Sequence, residues 1–112
     1  MARQLETTMG SAMATVTATA SDTSQTLEAL YGGSFVVSGV QATAALIVAE
    51  TNAVRIAFNA TPTQGGSPSL GLLLPANASF LITGWENLKS CSVINATNGS
   101  NGIVTIQPFA GA

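Results

Sequence analysis

Apolar residues in this chain come in short alternating bursts, and none of the runs is long enough to make a buried helix. Val54, Ile56 and Phe58 alternate with Arg55, Ala57 and Asn59, the period-two pattern of a strand with one face in a core. The stretches 34–40 (SFVVSGV) and 44–50 (AALIVAE) are equally short and rich in Val and Ile, so they also read as strands. Near the start, Val16 alternates with Thr15 and Thr17 in TVTATA, and β-branched residues suit a pleated, half-buried surface.

Turn chemistry punctuates these runs. The segment 21–31 (SDTSQTLEALY) opens with capping residues and spaces Leu27 and Leu30 three apart. This predicts one helical turn ending at Gly32 and Gly33, with a strand through 25–27 as the alternative. Thr51 and Asn52 make a tight turn, and 60–69 (ATPTQGGSPS) holds two Pro and two Gly and reads as the longest loop. Strands at 70–74 and 79–83 then flank a turn at Pro75, Ala76 and Asn77. The pattern breaks at 85–88, resumes at 90–94, turns through NATNGSNG and ends with a strand over 103–107, before Pro108. About eight short strands at intervals of roughly 8 to 12 residues predict an all-β fold. The expected architecture is a single small β-sandwich or jelly-roll-like barrel, with an N-terminal arm over 1–13 and the sandwich domain over 14–112. Leu5, Met9 and Met13, four apart in that arm, fit either one stripe of a short helix or an extended segment.

Charge is what the chain lacks. Charged residues make up 7% of it, against about 25% in an ordinary globular domain. There are three basic and five acidic residues and no histidine. Arg3, Arg55 and Lys89 are too few and too scattered to hold nucleic acid. The apolar runs fall far short of the roughly 20 residues of a spanning helix, and six aromatic rings do not furnish the girdles of a membrane barrel, so no membrane partner is expected. Glu6 and the run of Thr argue against a secretory signal, and the N-terminus is expected to be mature.

Sites of chemistry are equally sparse. Glu6, Asp22, Glu28, Glu50 and Glu86 lie in separate segments with no shared motif, so paired acid and base catalysis is not expected, nor is an enzyme. With no His and one Cys, no metal site, cofactor or small-molecule ligand is expected either. Cys91 cannot form an internal disulfide; flanked by Ser90 and Ser92 in a strand-like stretch, it reads as a small buried hydrophobe rather than a reactive thiol. Four Asn-x-Ser/Thr tripeptides, at Asn59, Asn77, Asn95 and Asn98, are expected by chance in so Asn- and Thr-rich a sequence. Trp85 reads either as a core plug or as a binding platform. A monomer with so few charges has little to keep it from associating, which points to a subunit buried in a large assembly.

The stretch 44–63 (AALIVAETNAVRIAFNATPT), followed by LLLPANASFLITGW and then SVINATNGSNGIVTI, resembles small virion structural proteins of tailed bacteriophages. Shared elements are a strand ending in Glu-x-Asn, an Arg-bearing strand, a TPT-type loop, an A-x-x-S hairpin and a closing INA-x-x-G turn and strand. The resemblance implies a compact β-sandwich that decorates heads or joins tail parts. The expected function is that of a capsid decoration or cement protein, made in the host cytoplasm and located on the capsid surface of the virion. Its expected partners are the major capsid protein and further copies of itself, as a homo-oligomer expected to be a trimer. The expected contact residues are Met1, Arg3, Leu5, Met9 and Met13 in the arm, Thr63 and Gln64 in the long loop, and Trp85. The alternative is a tail or head-fibre component, either an adaptor or a receptor- or glycan-binding module anchored on Trp85.

Overall fold

A computed structural model describes residues 11–33, 35–37, 39–64 and 69–110. In chain order the elements are β1 (Ser11–Ala12), β2 (Val16–Ala20), β3 (Gln25–Thr26), α1 (Leu27–Tyr31), β4 (Val36–Val37), β5 (Val40–Thr51) and β6 (Val54–Phe58). They continue with β7 (Leu72–Leu74), β8 (Ser79–Thr83), α2 (Trp85–Ser90), β9 (Cys91–Asn95) and β10 (Gly102–Ala110).

Two antiparallel sheets result. In the first, β10 runs between β5 on one flank and β1 and β2, end to end, on the other; the far flank of β5 carries β4 and β8. The second has the order β3-β9-β6-β7. Alternation decides which side chains meet between them. Ala45, Ile47, Ile82, Val104 and Ile106 of the first sheet join Val54, Ile56, Leu74, Cys91 and Val93 of the second in one buried cluster. The fold is therefore the all-β sandwich that the strand pattern predicts. The strand predicted over 44–50 extends to Val40–Thr51, whereas that predicted over 34–40 shortens to Val36–Val37.

The region 21–31 realises both alternatives. Gln25 and Thr26 pair with Val93 and Ser92, and Thr26 then turns N-cap, its Oγ1 accepting the Ala29 N–H at 3.1 Å. Gly32, at φ 84°, ends the turn after Leu27 and Leu30 have been buried. The break at 85–88 is a helix, α2, which buries Leu88 against the core. Gly84 gives it no side-chain cap, so the usual start signal is missing from the sequence.

Pro108 does not end the last strand, contrary to the sequence pattern: β10 runs on through it to Ala110. The reason lies in one side chain. The Met13 N–H donates to the Pro108 carbonyl at 2.9 Å, but proline has no N–H to return to Met13. Gln107 Nε2 takes that place, donating to the Met13 carbonyl at 2.7 Å. Residues 11–13, assigned from sequence to the arm, are thus tied to the sheet of their own domain: Ser11 and Ala12 pair with Ala110 and Phe109, and Met13 packs against the core.

Replacing Gln107 by Leu removes the only donor aimed at the Met13 carbonyl among the described residues and is expected to cost about 1 kcal/mol in urea unfolding. Exchange of the Met13 amide should accelerate with it. An unchanged unfolding midpoint and unchanged exchange would contradict this role for Gln107.

Candidate interaction surface

The outward face of the first sheet is built from β2, β10, β5 and β8. Across it run rows such as Thr17, Thr105, Val48 and Ser79, and beside them Gln107, Leu46 and Leu81, fixed by the strand registers. Side-chain hydrogen bonds tie the rows together: Thr17 Oγ1 and Thr105 Oγ1 lie 3.1 Å apart, Thr105 donates to Glu50, and Thr15 donates to Gln107. Glu50 is the charge among these side chains, and it is already an acceptor. Leu46, Val48, Ile103 and Phe109 are half-buried, and Leu81 is exposed. Such a face offers Thr hydroxyls and methyls to a partner at little desolvation cost.

The second sheet ends in β7, which pairs with β6 on one flank and with no strand on the other among the described residues. Leu70, Leu72 and Leu73 are 49%, 54% and 52% exposed, the most exposed large apolar side chains described. Natural edge strands usually carry Lys, Pro or a bulge at such a place. Opposite Leu73 in the register stands Arg55. Its Nη1 donates to the Gly71 carbonyl at 3.1 Å, but its buried Nε has no hydrogen-bond partner and no carboxylate pairs with it among the described residues. The two sheets also leave a shallow cleft of about 300 Å³ between β6 and β8, lined by Phe58, Phe80, Leu81 and Asn87.

Of the residues predicted from sequence, Met13, Thr63, Gln64 and Trp85 are among those described, each with partners of its own. Met1, Arg3, Leu5 and Met9 lie outside the described residues. Thr63 closes the long loop, its N–H donating to the Leu70 carbonyl at 3.0 Å and its Oγ1 accepting the Leu70 N–H at 2.8 Å. Gln64, half-buried, donates to Asn95. Trp85 is half-buried against the core, with Lys89 Nζ 5.5 Å from its ring centroid; Lys89 also pairs with Glu28 at 3.3 Å. Sequence reasoning did not single out Leu72, Leu73 or Arg55 as a surface. The run LGLLLP carried the signal, but exposure there depends on β7 being an edge.

Two further groups are structural. Cys91 is fully buried, and burial pushes its thiol up to about 12, which removes the thiolate needed for reactivity. Asn95, also fully buried, donates to Asp22 Oδ1 at 2.7 Å and accepts from Gln64, while the Gly99 N–H donates to the same Asp22 oxygen at 2.8 Å. This network joins the long loop, the end of β9, the turn at 97–100 and the turn after β2. The Asn95 side chain, followed by the Gly99 N–H, holds the Asp22 carboxyl below its ordinary value.

Among the described residues, no His, Cys, Asp and Glu side chains gather in a group able to hold a metal ion, and no helix is long and apolar enough to cross a membrane. No family model and no curated protein matches the chain. Among solved structures, one titled "Crystal Structure of FeII HppE" is similar over 62% of this chain, at 11% identity and a TM-score of 0.43. The chain covers 33% of that protein's length, and a likeness of this size carries no argument about activity.

A carboxyl held low in the folded state contributes stability that is present above its unfolded value, about pH 4, and lost as pH falls through the folded value. Stability measured from pH 5 to pH 2 should therefore fall less steeply in Asp22→Asn than in the parent chain. Parallel curves would show that the Asp22 network contributes nothing to the acid limb.

Proposed function

We propose that this chain is a structural subunit of a virion, a capsid decoration or cement protein that binds the outside of an icosahedral phage head and bridges major capsid subunits. The observation that carries the reading is the surface of the first sheet, a broad Thr and aliphatic face with one carboxylate, which suits burial in an assembly better than free solution. The resemblance of 44–107 to small phage virion proteins supports the same class. Many modest contacts of this kind, repeated by the symmetry of the shell, add up to firm attachment without a strong single site.

The fibre or receptor-binding alternative needs an exposed aromatic platform. Trp85 instead leans on the core beneath Lys89, and Tyr31 stacks on buried Phe35 at 5.0 Å between ring centroids.

Purified chain mixed with isolated heads of its source phage should co-sediment with them at a fixed, saturable ratio to the shell subunit and raise the temperature at which the heads release DNA. Retention on tails with none on heads would contradict the decoration reading and favour the tail component.

A further inference from the structure

We infer that Asn98 is a site of self-modification: its carboxamide is lost to attack by the peptide nitrogen of Gly99, and the Asp22 carboxylate holds that reaction back. Asn52, Asn59, Asn77, Asn87 and Asn95 are each followed by Ala or Leu, whose side chains crowd such an attack. Asn98 and Asn101 precede glycine. The fold forces glycine at both places. Gly99 holds φ at 84° in the turn at 97–100, and a Cβ on Gly102 would stand 2.5 Å from Val54 Cγ1.

Surroundings separate the two sites. Asn101 is held on both sides: its carbonyl accepts from Asn52 Nδ2 at 2.9 Å, its Oδ1 faces Asn95 Nδ2 at 3.5 Å, and Gly102 is buried in β10 opposite Ala20. Asn98 and Gly99 are exposed, and no described residue hydrogen-bonds the Asn98 carboxamide. One contact restrains the nucleophile, the Gly99 N–H donating to Asp22 Oδ1 at 2.8 Å. The nitrogen attacks only after that proton has left, and a carboxylate accepting it stabilises the protonated amide, so the bond opposes the reaction. Asp22 is held in position by fully buried Asn95, which donates to the same oxygen at 2.7 Å.

The reaction consumes water, with hydroxide as the base. Hydroxide removes the Gly99 amide proton, the nitrogen bonds to Asn98 Cγ, and the Cγ–Nδ2 bond breaks as ammonia leaves with a proton returned by water. A water molecule then opens the five-membered imide at either carbonyl, giving aspartate or isoaspartate. Both reacting groups are neighbours in one chain, so no catalyst is required. Either product brings a second carboxylate towards Asp22, and isoaspartate adds a backbone atom to the turn that the Ser100 N–H closes onto the Thr97 carbonyl at 3.0 Å. The turn that feeds β10 is thereby loosened. The inference goes beyond the virion reading and does not rest on it.

The test follows the mass gain of the amide-to-acid change, assigned to a residue by peptide fragmentation, in protein kept in mildly alkaline buffer with and without urea. Unfolded in urea, Asn98 and Asn101 should convert at similar rates. In the folded parent, conversion should be slower and confined to Asn98. Asp22→Ala should speed it at Asn98 by about tenfold, as expected for loss of a hydrogen bond to a charged group, and leave Asn101 intact. D22N, whose side-chain oxygen accepts without charge, should fall between the two, and it carries the comparison if D22A loses the far-ultraviolet spectrum of the parent. N98Q should abolish the gain at that position. Folded Asp22 variants that convert no faster than the parent, or Asn101 converting alongside Asn98 in folded protein, would overturn the inference.

Discussion

The sandwich depends on the insertion of its last strand into the middle of the first sheet. β10 pairs with β5 along one side and with β1 and β2 along the other, bringing Ile106 beside Val16, ninety positions earlier in the chain. Without β10 the N-terminal strands have no partner, and the inner face formed by Ala45, Ile47 and Ile82 loses Val104 and Ile106 as neighbours. Proline in such a strand is tolerated because Gln107 restores the hydrogen bond that Pro108 cannot make. Pairings this distant in sequence close only after most of the chain has been made, so slow folding relative to a helical domain of this size is built into the topology.

Small side chains and neutral surfaces follow from the same design. Ala42, Ala45 and Ala49 are buried along β5, leaving room for the Ile and Val of the opposing strands. Outward, Thr17 and Thr105 hydrogen-bond to one another, Thr105 donates to Glu50, and Thr15, just before β2, donates to Gln107, so the face is ordered by its own contacts. Among the described residues, the three most exposed leucines lie at the β7 edge, beside an arginine whose buried Nε has no hydrogen-bond partner.

Much of this fold was legible in sequence because period-two alternation holds in β8, over Val54–Ile56 of β6 and over Cys91–Val93 of β9, and because Thr26 and Gly32 bracket α1 with recognisable caps. The extent of β10 was hidden, since the Gln107 amide that rescues Pro108 acts across to Met13, ninety-four positions away. Helix α2 was hidden for a local reason: Gly84 provides no cap, and six residues are too few for a periodic pattern. The candidate surface was the least legible part. Leu72 and Leu73 read as ordinary strand residues until the topology leaves one flank of β7 without a strand among the described residues, and Gln64 read as a loop contact until it met buried Asn95.

The central claim is that this chain is a repeated structural component of a virion shell, and its copy number in purified particles tests that claim most directly. Quantitative mass spectrometry of intact virions should find the chain in numbers comparable to the major shell subunit. Absence from the particles, or only a few copies in each, would contradict a lattice-wide decoration role.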